Sequence, residues 1–331
     1  MALDKVVDSA VLDAGMVTVA DAIRAKAGIT NQLVWPEGFK TAVDGIQTGG
    51  GSPSNPLDPV EVYNNTRPSD WLPMPTPAEN EMYLLFHIPD RVSSLLAFTV
   101  TCTGNYTVEL GTVSGGSFVA SSSVDIASGS KYEAELFADD YGNLTSDGMK
   151  QVMVKVSGTD ILTWAPSTHS KKTSPSNFAG WNIVEISCNL PSGTSVACGS
   201  SSGSASLKKL RYFAWYGKNA VTSMNYMFSG CYSLTAIPQM DTSAVTNMRS
   251  MFNGCNSLTS IALDNTVTGW AGYDISLSNC SLSHAAIVAF FNSLPTITSA
   301  KAITLTGNPG VSELTDAEKA IATGKGWTLT L

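Results

Sequence analysis

Between Val221 and Ile261 the chain states one phrase twice, and this limits what the rest of it can fold into. VTSMNYMFSGCYSLTAIPQMDTSA begins at Val221 and VTNMRSMFNGCNSLTSIALDNTVT begins at Val245, a period of 24 residues. Met224, Met227, Phe228, Gly230, Cys231, Ser233, Leu234, Thr235 and Ile237 return as Met248, Met251, Phe252, Gly254, Cys255, Ser257, Leu258, Thr259 and Ile261. A unit this short cannot close a core of its own, so it buries its apolar edge against the units before and after it. Function in such a stack resides on the surface that the stack presents.

A period within roughly 20–29 residues, with apolar residues at Cys-x-x-Leu-x-x-Ile spacing, is that of a leucine-rich-repeat solenoid. The wording VTxMxxMFxGCxSLTxI resembles the BspA-like leucine-rich-repeat family of bacterial and phage surface proteins, a resemblance carried outright by these two units alone. It implies binding at a cell surface, commonly as an adhesin, and it implies no catalytic residues.

Weaker units flank the clear ones. Leu207, Leu210 and Phe213 lie one period before Cys231, Leu234 and Ile237 and make a degenerate first unit, as expected where a stack is capped. Ile275 and Leu277 return at a spacing of 28 as Ile303 and Leu305, and Leu329 and Leu331 close the chain as a last strand. Between these strands the sequence predicts two helices. Ser283 caps the first, Ile287, Phe290, Phe291 and Leu294 form its apolar stripe, and Pro295 stops it. Thr315 and Glu318 form a capping box for the second, which Gly324 ends. The solenoid is thus expected over residues 207–331.

The upstream chain divides by composition. Residues 1–48 read as two short helices, with Thr18 as N-cap, Gly28 as terminator, and Phe39, Ala42, Val43 and Ile46 on one face after Pro36. The phrase VADAIRAKAGITNQLVWPEGFKTAVDGI resembles N-terminal segments of phage tail and tail-fibre proteins, which implies a virion-attachment module docking on other virion proteins. Residues 49–80 are a Gly/Ser/Pro-rich linker followed by an extended Pro-rich passage carrying Trp71. Across residues 81–166 six strand-like runs (MYLLFHI, LLAFTVTC, YTVELGTV, KYEAELFAD, QVMVKVSG and DILTWAP) alternate with Gly, Ser, Asn and Asp. They predict an antiparallel β-sandwich. Residues 167–206 are a polar connection with one or two strands. The expected fold is therefore multidomain and mainly β: a short N-terminal helical module, an antiparallel β-sandwich and a C-terminal α/β leucine-rich-repeat solenoid.

Charge and cysteine usage narrow the function classes. Lys+Arg 19 against Asp+Glu 27 gives a net charge of −8, and the largest basic cluster is Lys208, Lys209 and Arg211, which argues against a nucleic-acid partner. No apolar run approaches the ~18 residues of a membrane span, and residues 1–30, with Asp4, Asp8, Asp13 and Asp21, show no apolar run of secretion-signal length. The six cysteines (Cys102, Cys188, Cys198, Cys231, Cys255 and Cys280) form no C-x-x-C pair. Cys231 and Cys255 share a register and stack, as small apolar fillers in preference to a disulfide.

Neither the histidines, His87, His169 and His284, nor any serine falls in a nucleophile or zinc motif. Asp139, Asp140, Asn143 and Asp147 offer oxygen ligands but miss calcium-loop spacing, and suit a solvent turn equally. Glu79 with Glu81, or Glu135 with Asp139, need no role as a glycosidase pair. No catalytic residue, metal or cofactor is expected.

The positions where the two units differ suggest exposure: Asn225/Arg249, Tyr226/Ser250, Ser229/Asn253, Tyr232/Asn256 and Ala236/Ser260. Between Val221 and Ala300 only Asp241, Arg249, Asp264 and Asp274 are charged. Such a face offers hydroxyls, amides and aromatics to a sugar or to a protein epitope. The binding candidates are Trp215, Tyr216, Asn225, Tyr226, Tyr232, Arg249, Asn253, Asn256, Trp270 and Tyr273. The reading is a phage tail-fibre or receptor-binding protein that adheres to a host surface glycan or protein, on the virion surface and without membrane insertion. Trimerisation is implied by the resemblance to phage fibres; no coiled-coil heptads enforce it. The alternatives are a head fibre or capsid decoration protein, a glycan-degrading tail enzyme, and a bacterial surface adhesin.

Overall fold

The computed structural model describes residues 67–142, 144–167, 182–201, 206–237, 241–261 and 274–331. The chain divides into Met1–Pro56 and Leu57–Leu331, and all described residues belong to the second unit. The helices expected within residues 1–48 lie outside the described residues. Those described are mainly β, with two α-helices.

Eight strands form one mixed sheet: β1 (Glu81–Pro89), β2 (Ser93–Ser114), β3 (Ser117–Ala127), β4 (Lys131–Phe137), β5 (Met149–Pro166), β6 (Ile183–Asn189), β7 (Ser195–Val196) and β8 (Tyr212–Trp215). Their order is β3-β2-β5-β1-β6-β8, with β4 also on β2 and β7 also on β5. Pairing is antiparallel except for β5/β7 and β6/β8. The expected sandwich of short strands is corrected to a single sheet carried by two long ones. LLAFTVTC and YTVELGTV are one strand, β2, and QVMVKVSG and DILTWAP are one strand, β5. The Gly and Asp positions that read as turns are irregularities inside a continuous ladder: Gly104 has φ +75° and Asp160 has φ +47°, next to the register shifts at Thr101, Thr103 and Tyr106. Polar β3, with no large apolar run, gave no signal for a strand.

The pleat of β1 sets the two faces of this sheet. Met82, Leu84, Phe86 and Ile88 point into the main core, while Tyr83 and Leu85 join Met153, Val184 and Trp71 on the other side. Trp71 arrives there on the segment 67–78. Asp70 Oδ2 accepts from Ser146 N, Leu72 N donates to Gln151 Oε1 (2.7 Å) and Pro75 O accepts from Ser187 Oγ (3.2 Å).

β8 passes the main core on to the repeats. Thr235 N donates to Arg211 O (3.3 Å) and Thr259 N to Thr235 O (3.0 Å), both across 24 residues. β9 (Ala236–Ile237) and β10 (Ser260–Ile261) pair in parallel, as do β11 (Ile275–Ser276), β12 (Lys301–Thr304) and β13 (Trp327–Thr330) in a three-stranded sheet. Ile275 lies opposite Ile303, and Ile303 opposite Leu329. The inward residue at the end is Trp327, whose Nε1 donates to Pro295 O (2.9 Å); the last strand runs Trp327–Thr330, so it holds Leu329 as expected and leaves Leu331 outside it and exposed.

One column runs through four successive turns. Gly230, Gly254, Asn279 and Gly307 all have left-handed backbone, with φ of +76°, +72°, +56° and +85°, and each of the first three donates its N–H to the next turn, at Asn253, Ser278 and Thr306. Glycine and asparagine hold these places because that backbone region crowds a Cβ. The residue after each is buried: Cys231, Cys255, Cys280 and Asn308. Helix α1 (His284–Ser293) is capped by Ser283, whose Oγ accepts from Ala286 N, and buries Ile287, Phe290 and Phe291. Helix α2 (Asp316–Thr323) carries the expected capping box of Thr315 and Glu318.

Candidate functional site

Each clear unit turns through left-handed backbone twice, first at Tyr226 or Ser250 (φ +57° and +53°) and again at Gly230 or Gly254. Around these turns the apolar frame is drawn inward, with Met224, Met227, Phe228 and Cys231 buried together with Met248, Met251, Phe252 and Cys255. The residues beside the frame are turned outward. Asn225, Arg249, Asn253 and Asn256 are exposed, and Tyr232 is 44% exposed.

Backbone bonds between units set these side chains in rows. Ser233 N donates to Lys208 O and Ser257 N to Tyr232 O, each at 3.1 Å, so Lys208, Tyr232 and Asn256 follow one another on consecutive turns. Lys208 Nζ lies 5.7 Å from the centre of the Tyr232 ring, a cation–π arrangement that orients the phenol. Gly254 leaves room beside that ring: a Cβ there would sit 3.8 Å from Tyr232 Cε1. A second row carries Asn225 and Arg249. Tyr226 N donates to Arg249 O (3.1 Å), and Ser223 bridges to Asn247. Local bonds pin each turn, Asn225 N to Ser223 Oγ (3.5 Å) and Arg249 N to Asn247 Oδ1 (3.0 Å). Asp241 stays below the usual carboxylate range because Ser243 donates to it from both side chain and backbone.

Several expected site residues lie elsewhere. Trp215 is buried and packs edge-on against Phe213 at 6.2 Å, so it is a core residue at the end of β8. Tyr216, next along, is 40% exposed. Tyr226 is half-buried, held by its left-handed backbone. Ser229, grouped with the exposed positions because it varies, is buried, and its carbonyl accepts from Ser206 Oγ. Trp270 and Tyr273 lie outside the described residues. Lys208 was missed because it stood out only as part of a basic cluster, although the 24-residue period that sets Leu207 before Cys231 also sets Lys208 before Tyr232.

The face can hydrogen-bond and stack. A cleft of ≈ 50 Å³ is lined by Ser195, Gly199, Ser223, Asn225 and Met227 among others. No group of three or more metal-ligating side chains occurs among the described residues. One carboxylate of each pair considered for glycoside hydrolysis is engaged structurally: Glu81 binds Lys155 Nζ (2.7 Å) and Glu135 accepts from Ser93 Oγ (2.8 Å).

A second polar cluster, unseen in the sequence, lies under segment 67–78. Arg67 reaches the buried Glu185 with Nε at 2.8 Å and Nη2 at 3.0 Å, and also donates to the carbonyls of Trp71 and Leu72. Burial pushes the Glu185 carboxyl up, and Arg211 pulls it back. Trp71 lies within cation–π reach of Arg67 and Arg211 and edge-on to His87 at 4.5 Å. His87 Nε2 bonds Gln151 at 2.8 Å, and its Nδ1 lies 3.8 Å from Asp147. The cluster clamps the segment to the sheet.

A family model described as Mycoplasma protein of unknown function, DUF285, matches residues 207–276. These are the first unit, both clear units and the chain through β11. No curated protein and no solved structure matches the chain.

Proposed function

We propose that this chain is a phage virion protein of tail-fibre or receptor-binding type, and that residues 207–331 form a leucine-rich-repeat solenoid gripping the bacterial surface. A helical module within residues 1–48 attaches it to other virion proteins, and the eight-stranded sheet spaces the tip from the particle. The ligand is a cell-surface glycan or protein, met through many weak contacts that gain effective concentration when several copies are displayed together. No catalytic step is involved.

One observation carries this reading: the buried apolar frame of Val221, Met224, Met227, Phe228, Cys231 and Leu234 returns residue for residue as Val245, Met248, Met251, Phe252, Cys255 and Leu258, while Asn225/Arg249 and Tyr232/Asn256 change and face solvent. A frame kept constant under a varying polar and aromatic face is what a binding ladder requires. The family match falls on these same units, which supports treating them as a module that recurs between proteins.

The test is adsorption. Purified full-length chain should label susceptible cells and compete with particle attachment, and particles lacking it should adsorb poorly. Equal adsorption with and without the chain, or no labelling of any susceptible cell, would end the proposal.

A further inference from the structure

The eight-stranded sheet is closed at one end and open at the other. At the closed end β8 continues into the repeats through the bond from Thr235 N to Arg211 O. At the open end lies β3, whose ladder among the described residues is to β2 alone. Of its eleven residues only Phe118 and Ile126 are even half-buried. It holds no Lys and no Pro, and its single charge is Asp125. A long edge strand without those blunting residues is a template for another strand.

A bulge shapes this edge. Gly111 pairs with Ala120 and Leu110 with Ser122, which leaves Ser121 as the extra residue. Gly111 permits the close approach, since a Cβ there would meet Val119 O at 2.1 Å. Past the bulge Val119 lies opposite Thr112 and Val124 opposite Val108. Those partners are an even number of residues apart, so Val119 and Val124 share one face of the sheet although they are five apart. Both are exposed, at 49% and 43%.

We propose that β3 is the contact strand of a two-fold dimer, running antiparallel to β3 of a second copy, with Val119 of each copy opposite Val124 of the other. The centre of the strand nearly matches itself read backwards about the midpoint of Ser121 and Ser122: Ser121 meets Ser122, Val119 meets Val124, and between them small Ala120 meets small Ser123. Antiparallel pairing across a two-fold axis perpendicular to the sheet keeps all four valines on one face. Asp125 falls opposite Phe118, so no like charges oppose one another, which matters in a chain of net charge −8. A foreign peptide has no reason to reproduce this register; a second copy does so automatically. Edge pairing of this kind closes with two copies, which separates it from the three-fold assembly implied by the resemblance to phage fibres.

Two measurements on the full chain test it. Sedimentation equilibrium should return a dimer, and Val119→Lys with Val124→Lys, which sets lysine against lysine twice, should weaken dimerisation at least about tenfold while leaving the melting temperature unchanged. A Val119→Cys/Val124→Cys variant, oxidised and digested, should yield a peptide pair linking position 119 of one copy to position 124 of the other; the native cysteines among the described residues are buried and do not compete. A monomer at all concentrations overturns the proposal. So does an oligomer indifferent to the lysines, or one without the 119–124 link, because it would then be held by another part of the chain. Neither result bears on whether the repeats adhere to cells.

Discussion

Phe228 and Phe252 stand one repeat apart with ring centres 5.9 Å from each other and planes only 5° from parallel. Phe213 meets Phe228 edge-on at 5.1 Å, so a column of fully buried rings leads from the end of the large sheet into the repeats. Removing a link leaves a void that its neighbours, fixed by backbone bonds on both sides, cannot close. Phe252→Ala is expected to cost about 3–5 kcal/mol, read as a lowered midpoint in urea denaturation. A cost under about 1 kcal/mol would mean that the column does not carry the core.

The repeats were legible because their signal is redundant. Gly230/Gly254 and Cys231/Cys255 each appear twice in one register, and the pairing of Ile275 with Ile303 follows from equal strand motifs. The helices were legible from their caps, Ser283 and Thr315. The sheet was less so. Gly104 and Asp160 read as turns because a lone sequence cannot distinguish a left-handed residue that ends a strand from one that merely kinks it. The variable positions predicted exposure well at Asn225, Tyr232, Arg249, Asn253 and Asn256, and failed at Ser229, since a small residue tolerates change when buried. The clamp under segment 67–78 was invisible because Arg67 and Glu185 are 118 residues apart.

That clamp makes a prediction of its own. Arg67 and Glu185 form a fork-to-fork pair whose carboxylate is fully buried, and such a pair is costly to half-remove. Arg67→Met should destabilise by roughly 3–5 kcal/mol, whereas Arg67→Met combined with Glu185→Gln should recover a substantial part, because the buried carboxyl left without its partner is gone. Chemical denaturation of the three proteins decides it: equal losses in single and double variants would show that the pair contributes packing and no electrostatics.

His87 gives the fold a dependence on acid. Burial lowers its pKa from 6.5 to about 4, against the opposing pull of Asp147 and with Lys209, Arg211 and Arg67 lowering it further. Between pH 6.5 and 4 the unfolded chain therefore binds a proton that the folded chain refuses, so this contribution is complete above pH 6.5 and is lost as the pH falls toward 4. A shift of this size corresponds to about 3 kcal/mol. His87→Gln should flatten the stability profile over that window relative to the parent. Parallel profiles for the two proteins would assign the acid sensitivity to other groups.

The cysteines should be chemically silent in the native state. All six are free and buried. Burial pushes the thiols of Cys188, Cys198, Cys231 and Cys255 well above their ordinary range and that of Cys280 to about 12. Three of them also donate to carbonyls, Cys231 to Cys198, Cys255 to Phe228 and Cys280 to Phe252. Since the thiolate is the reacting form, a thiol-reactive chromophore at pH 8 should label none of them promptly and all six once denaturant unfolds the chain. Prompt labelling of two or more in buffer would contradict this burial.

On the exposed face, the row of Lys208, Tyr232 and Asn256 allows binding to be separated from folding at Tyr232. Tyr232 is 44% exposed, so Tyr232→Ala should change stability by no more than about 0.5 kcal/mol, whereas Asn256, although exposed, has an amide that can donate to Asn279 O and Gly254 O at 3.0 Å each, so Asn256→Ala would also touch the fold. If the adhesive reading holds, the tyrosine is the stronger anchor, being large, rigid and amphipathic, and its loss should weaken cell binding by about 2 kcal/mol, roughly thirtyfold. Lys208→Met keeps the aliphatic stem but removes the cation above the ring, and should give an intermediate loss by freeing the phenol to rotate. The contrast must be measured with soluble chain competing against particles, because display in several copies would mask a thirtyfold change in one contact. Full competition by the Tyr232→Ala protein would move the contact surface off this row and onto that of Asn225 and Arg249.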